Sequence, residues 1–195
     1  LFAPQGGTEV PGRYKTQGAA QTTPQQIYRQ IREYRNKYPR KALIQQMEAS
    51  RTQTWAFFMG GGSLLVRYLS YPGNQDPPAY IAPADSVLIL PLYRFINKHL
   101  RDTLQHTHPL NVVRDQPERN WCLGRENNLY LVYALEGGTF RVNLTGAAGT
   151  FTARWLDPRT GKLSANKKSK ITAGGMVTFT SPDKQDWALW LSRNK

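Results

Sequence analysis

The sequence predicts an α+β chain: an N-terminal α/β segment followed by an all-β antiparallel sandwich. Two observations carry that expectation. First, the hydrophobic period changes near Glu118, from helical spacing before it to strict alternation after it. Second, the alternating runs are separated by short turn-forming clusters, a spacing that suits packed antiparallel sheets. The sharpest example is Phe151-Thr-Ala-Arg-Trp-Leu-Asp-Pro-Arg-Thr-Gly161. Its alternating run ends in a corner where Pro158 fits the second position of a type I turn and Gly161 can take a positive φ. The expected domains are 1–118 and 119–195.

Taken in order, residues 1–22 are polar and rich in Gly and Gln, with Phe2 and Val10 as the substantial apolar anchors. Thr23-Pro24 reads as a helix start, Thr as the cap and Pro in the first turn. Ile27, Ile31, Tyr34 and Tyr38 follow at helical spacing, and Pro39 ends the run. A second helix is expected from about Arg40 to Met59, with Ile44, Met47, Trp55 and Phe58 on its buried stripe and Gly60-Gly61-Gly62 as its stop. Ser63 to Leu69 reads as a short buried strand, and Ser70 to Pro83 as a Pro-rich loop. In a third helix Pro91 either opens or kinks the element, and Leu92, Phe95, Ile96, Leu100 and Leu104 form the apolar face. His106 to Glu118 is a connector with a short strand expected at Asn111 to Arg114. Six strands are then expected: Trp121 to Leu123, Leu129 to Leu135, Thr139 to Leu144, Phe151 to Leu156, Met176 to Thr180 and Trp187 to Leu191. There is no internal repeat.

Composition sets bounds on function. The chain has 195 residues, 39% of them hydrophobic, enough for a sizeable core. Its single cysteine, Cys122, excludes an internal disulfide. No apolar run is long enough to span a bilayer. The net charge of +13 invites a polyanion as partner. That charge is spread along the chain, with local density only at Arg29 to Lys41 and Lys162 to Lys170, so solvated basic faces are the plainer reading. No specific nucleic-acid motif, phosphate-binding Gly motif, zinc spacing or nucleophile elbow accompanies it. No cofactor is expected. His106 and His108 lack the carboxylates or cysteines that would complete a metal site, and His99 adds none.

Several ordered blocks of the C-terminal half carry a family resemblance. They are Asn128-Leu-Tyr-Leu-Val-Tyr133, Gly137-Gly138, Val142-Asn-Leu144, the Phe151 to Gly161 run, Val177-Thr-Phe-Thr-Ser-Pro182 and Asp186-Trp-Ala-Leu-Trp-Leu191. Together they closely resemble the "putative collagen-binding domain of a collagenase" family, a β module that commonly ends apiosidase-like glycoside hydrolases. Upstream, Arg51-Thr-Gln-Thr-Trp-Ala-Phe-Phe-Met-Gly-Gly-Gly62 is similar to the last helix of a TIM barrel running into its final strand. The resemblance implies the C-terminal part of a secreted or cell-surface glycoside-hydrolase-like protein, incomplete for catalysis alone. Carbohydrate would be its ligand, and the earlier part of the barrel its partner. The alternative is a non-catalytic basic cell-surface or matrix protein that binds acidic polysaccharide.

Glycosidases need two carboxylates flanking the scissile bond, and in barrels these stand at the C-terminal ends of strands. On that resemblance Glu9, in Gly6-Gly-Thr-Glu-Val-Pro11, is the catalytic candidate, with an ordinary loop carboxylate as the plainer reading. Arg67 and Tyr68, near the end of the expected barrel strand, could hydrogen-bond and stack a sugar. Asp76 and Asp85 flank the Pro-rich loop, where turn and cap roles compete with substrate binding. Glu48 reads as a surface residue and Cys122 as core. Trp155, Trp187 and Trp190 could form a sugar platform. The alternating pattern buries Trp155 and Trp187, whereas Trp190 is out of register and faces the other way.

Overall fold

The computed structural model describes residues 22–46, 50–66, 90–164 and 169–193. The chain forms two compact units, divided between Leu90 and Pro91. The sequence places the boundary near Glu118, but the helix and strand that precede Glu118 belong to the second unit.

In the first unit, helix α1 (Pro24–Lys37) starts as its sequence requires. Thr23 accepts from the Gln26 amide, the Gln26 side chain accepts from the Thr23 amide, and Pro24 needs no donor there. Its buried stripe is Ile27, Tyr28, Ile31 and Tyr34. The expected long second helix is not formed. Residues Ile44–Gln46 instead make strand β1, and helix α2 runs only over Arg51–Met59. The reason is local: Ser50 and Gln53 form a capping box, which starts the helix there. Ile44 therefore lies in a strand, and Met47 is outside the described residues.

Helix α2 is buried from Gln53 to Met59, the pattern of a helix enclosed on all sides rather than a striped surface helix. The one amide in that run is satisfied: Gln53 Nε2 donates to the Thr22 carbonyl at 2.7 Å. Strand β2 (Leu64–Val66) follows and pairs in parallel with β1, Ile44 opposite Leu64. Arg35 fastens this β1–α2–β2 unit. Its guanidinium donates to the carbonyls of Gly61 and Lys41, at 3.0 and 2.9 Å.

A helix at 90–95, which enters the second unit at Pro91, widens into a π-helical turn at Ile96–Leu100; together these are α3. Leu92, Phe95, Ile96 and Leu100 are buried, as the sequence predicts, while Leu104 is only half-buried, in the short helical turn Leu104–His106.

Eight strands follow among the described residues. They are β3 (His108–Leu110), β4 (Asn120–Arg125), β5 (Leu129–Ala134), β6 (Thr139–Asn143), β7 (Thr150–Leu156), β8 (Ser169–Thr172), β9 (Met176–Thr180) and β10 (Trp187–Arg193). They make an antiparallel sheet of order β3-β4-β5-β10-β7-β8 and a two-stranded sheet β6-β9. The arrangement is the expected α+β one, with a sandwich-like C-terminal part.

Three strands of this unit depart from expectation. The strand expected at Asn111 to Arg114 is reduced to a single bridge, Val113 to Val142, and β3 forms upstream of it. Pro109 is tolerated because β3 is an edge strand. Strand β8 lies at the end of the Lys-rich stretch, where charge masked its pattern.

A core fills the space between the two sheets. Tyr130, Val132, Phe140, Val142, Phe151, Leu189 and Leu191 are among its members. The six-residue β5 is buried throughout because both of its faces are covered. Alternate residues enter the core, and the others lie on the opposite face, where Tyr133 stacks on Trp121. On that same face Phe95 of α3 meets Trp190 edge-on, with ring centroids 5.5 Å apart.

The Asp157–Gly161 corner is as the sequence requires. The Gly161 amide donates to the Asp157 carbonyl at 2.8 Å, and Gly161 has φ +72°.

Three aspartates in this unit are held below the usual carboxylate range. Asp115 is lowered chiefly by the bidentate hydrogen bonds of Arg141, and Asp183 by the Trp187 indole N–H and then the Gln185 amide. Burial pushes Asp157 up, but the Arg159 guanidinium and amide outweigh it. A carboxylate lowered in the folded state stabilises it above the unfolded pKa of about 3.9, and that contribution is lost as pH falls through the folded value. Thermal melts followed by circular dichroism should therefore show a midpoint nearly flat above pH ~5 that falls steeply below pH ~4. Asp115→Asn should lower the neutral-pH midpoint and flatten that acid limb.

Candidate functional site

Glu9, Arg67, Tyr68 and Asp76 all lie outside the described residues, as do Glu48 and Asp85. The histidines expected not to bind metal are described. Among the described residues no group of three or more His, Cys, Asp or Glu is placed to hold a metal ion. Cys122 is buried at 1% exposure, and burial pushes its thiol far above the ordinary range, so it is an inert core residue. Among the described residues no helix is long and apolar enough to cross a membrane.

The three tryptophans divide as their register dictates. Trp155 and Trp187, expected in the core, are only half-buried. They meet edge-to-face at 6.4 Å beside the Asp157 corner. Trp187 also stacks under the Arg159 guanidinium at 4.7 Å and donates its indole N–H to Asp183 at 2.7 Å. Polar groups at the end of the sheet therefore hold the Trp187 ring at its rim, while Trp155 packs against the edge of the core. Trp190 faces the other side, as expected, and there it borders a cleft.

That cleft has a volume of about 480 Å³ and is built from three elements. From α3 and the turn after it come His99 and Thr103; from the β4–β5 hairpin, Asn128 and Leu129; from β10, Trp190, Ser192 and Arg193. Sheet register explains the meeting. Leu129 pairs with Ser192, and the Arg193 amide donates to the Asn128 carbonyl at 2.9 Å. The hairpin turn is held open by Asn127, at φ +61°, a conformation asparagine tolerates. Its side-chain oxygen accepts from the Ala148 amide at 3.0 Å.

Aromatic and cationic groups crowd this wall. The rings of His99 and Trp190 lie 4.8 Å apart, and the Arg154 guanidinium carbon sits 5.7 Å over the indole. Arg154 is opposite Trp190 in the β7–β10 register, which sets that contact. Burial first, then the charges of Lys98 and Arg154, hold His99 below the ordinary histidine range. It is therefore neutral at pH 7, able both to donate and to accept a hydrogen bond.

Among the described residues no carboxylate lines the cleft. Four acids of the same unit are engaged structurally: Asp115 with Arg141, Asp157 with Arg159, Glu136 with Arg119, and Asp186 with the Tyr133 hydroxyl at 2.9 Å. The cleft is thus equipped to bind a polar ligand with one apolar face.

Sequence reasoning singled out Trp190 by its broken alternation but missed its companions. Ser192 could have been read from the same alternation. His99 and Thr103 could not, because only tertiary packing brings α3 to that face.

The comparisons with known proteins agree with this architecture. Residues 111–192 match the family described as "Putative collagen-binding domain of a collagenase", the family the C-terminal blocks resemble. Residues 1–71 match one described as "Domain of unknown function (DUF6298)". No curated protein matches the chain. Among solved structures, one titled "Glycoside hydrolase" is similar with a TM-score of 0.65 at 15% identity, over 97% of this chain and 50% of that one. A glycoside hydrolase family 5 protein from Bacteroides vulgatus ATCC 8482 is similar with a TM-score of 0.64 at 15% identity, over 87% of this chain and 45% of that one. The chain spans about half the length of these structures. Its fold is therefore shared with a portion of these two structures.

Proposed function

We propose that the chain is the C-terminal part of an exported glycoside-hydrolase-type protein, with its second unit an ancillary module that holds carbohydrate. The observation that carries this reading is the fold shared along 97% of the chain with half of a glycoside hydrolase. The chemistry of the second unit supports an ancillary role. A glycosidase acid must keep its proton near neutral pH, so its pKa is raised. Here Asp115, Asp157 and Asp183 are lowered instead, each engaged by a structural donor.

In this reading the β1–α2–β2 unit is the closing part of a TIM barrel. Glu9 supplies one carboxylate of the catalytic pair, and Arg67, Tyr68 and Asp76 stand beside the sugar. The second carboxylate comes from an earlier barrel strand. The chain alone should accordingly release no reducing sugar from aryl glycosides or polysaccharides. Measurable turnover that survives repurification and is abolished by Glu9→Gln would contradict that.

The net charge of +13 favours a second reading, a matrix protein that attracts acidic polymers without any catalytic partner. Diffuse charge attraction predicts that acidic glycans and DNA bind alike and that both weaken steeply with salt. A carbohydrate module predicts saturable binding that distinguishes sugars.

A further inference from the structure

Resting on the carbohydrate reading, we propose that the cleft between α3, the β4–β5 turn and β10 is a subsite for an acidic sugar. A uronate residue within a saccharide would lie against Trp190, its carboxylate on Arg193.

Charge is the first support. Arg119, Arg141 and Arg159 are each matched by a carboxylate: Glu136, Asp115 and Asp157. At the cleft, Arg193 lines the wall and Arg154 covers the Trp190 ring, and neither makes an ion pair among the described residues. Lys98 adds a third charge, felt by His99. A carboxylate is the planar anion that a guanidinium fork binds in bidentate fashion.

Shape and polarity are the second support. A volume of about 480 Å³ is too large to be specific for a small inorganic anion and falls in the range of small-ligand sites. An indole offers a flat apolar wall, while Asn128, Thr103, Ser192 and neutral His99 both donate and accept, as sugar hydroxyls require. A single-stranded nucleic acid would instead need a basic groove tracking several phosphates. Here one cation lines a single recess, and Arg154 and Lys98 act on two residues of its wall, Trp190 and His99.

The test titrates the full 195-residue chain by calorimetry with a galacturonic acid trisaccharide and, separately, with the galactose trisaccharide of the same linkage. The pair differs only in carboxylate against hydroxymethyl. The acidic sugar should bind and the neutral one should bind at least tenfold more weakly. Arg193→Ala should cost about tenfold or more, the size of a charge-assisted hydrogen bond. Asn128→Ala should cost severalfold. Arg119→Ala removes the same charge at the far end of the β4–β5 hairpin and should change nothing. Arg193 and Asn128 are exposed, so neither substitution threatens the fold. If the neutral sugar binds equally well, or Arg193→Ala has no effect, the acidic subsite is wrong and the carbohydrate reading stands. Equal losses in Arg119→Ala and Arg193→Ala would mean diffuse attraction and overturn the subsite. No binding of either sugar would count against both.

Discussion

Replacing Phe140 with alanine should destabilise the C-terminal unit by about 3–5 kcal/mol. Phe140 is fully buried in β6, one of the two strands of the small sheet. Its ring meets Phe179 of β9 at 6.3 Å and, edge-on, Trp155 of β7 at 6.0 Å, so one side chain ties the two sheets together. Truncation removes buried apolar area and leaves a cavity whose walls are strands that cannot collapse independently. The loss is a large share of the stability of an ordinary domain. Urea unfolding followed by tryptophan fluorescence should show the midpoint shift. A companion substitution at exposed Met176, Met176→Ala, should move it by no more than about 0.5 kcal/mol. If the two variants unfold alike, the core between the sheets is not where the stability lies.

Gly137→Ala should be of comparable severity, roughly 2–5 kcal/mol, for a different reason. Gly137 has φ +62°, and a Cβ placed there would stand 2.3 Å from the Asp183 carbonyl oxygen and 2.6 Å from that of Gln185. Both are backbone atoms, so relief requires moving a loop. That loop is locked: the Gly138 amide donates to Ser181 Oγ at 2.7 Å, and the Ser181 amide to the Gly138 carbonyl at 2.9 Å. The neighbouring Gly138 separates strain from collision. Its φ is +88°, yet an added Cβ meets nothing within 4 Å. Gly138→Ala should thus cost only the backbone term, about 1–2 kcal/mol. Thermal melts of the two variants side by side measure the difference, and equal midpoints would mean the Asp183 carbonyl yields without cost.

What was legible in the sequence follows from where local signals dominate. The start of α1 was readable because Thr23, Pro24 and Gln26 act on one another within a single turn. The strands β4 to β7, β9 and β10 were readable because the pleat forces a period of two. The break between β1 and α2 was not, because apolar residues from Ile44 to Phe58 also fit a helical stripe. Only the Ser50–Gln53 capping box marks the true start. Strand β8 was hidden for a similar reason: Ser169-Lys-Ile-Thr172 carries one apolar residue, and its pairing with β7 supplies what its composition does not. As for the site, alternation turned Trp190 away from Leu189 and Leu191. Nothing local could place His99 beside it, since that contact depends on how α3 lies across the sheet.

The central claim is that this chain holds carbohydrate as part of a glycoside-hydrolase-type protein. Affinity electrophoresis of the intact chain through gels containing neutral or acidic polysaccharides tests it most directly, with collagen, the ligand in the matched family's name, as a separate arm. The account predicts retardation by at least one polysaccharide, reversed by soluble oligosaccharide and weakened by Arg193→Ala. Unretarded migration in every polysaccharide, or retardation by collagen alone, would contradict it.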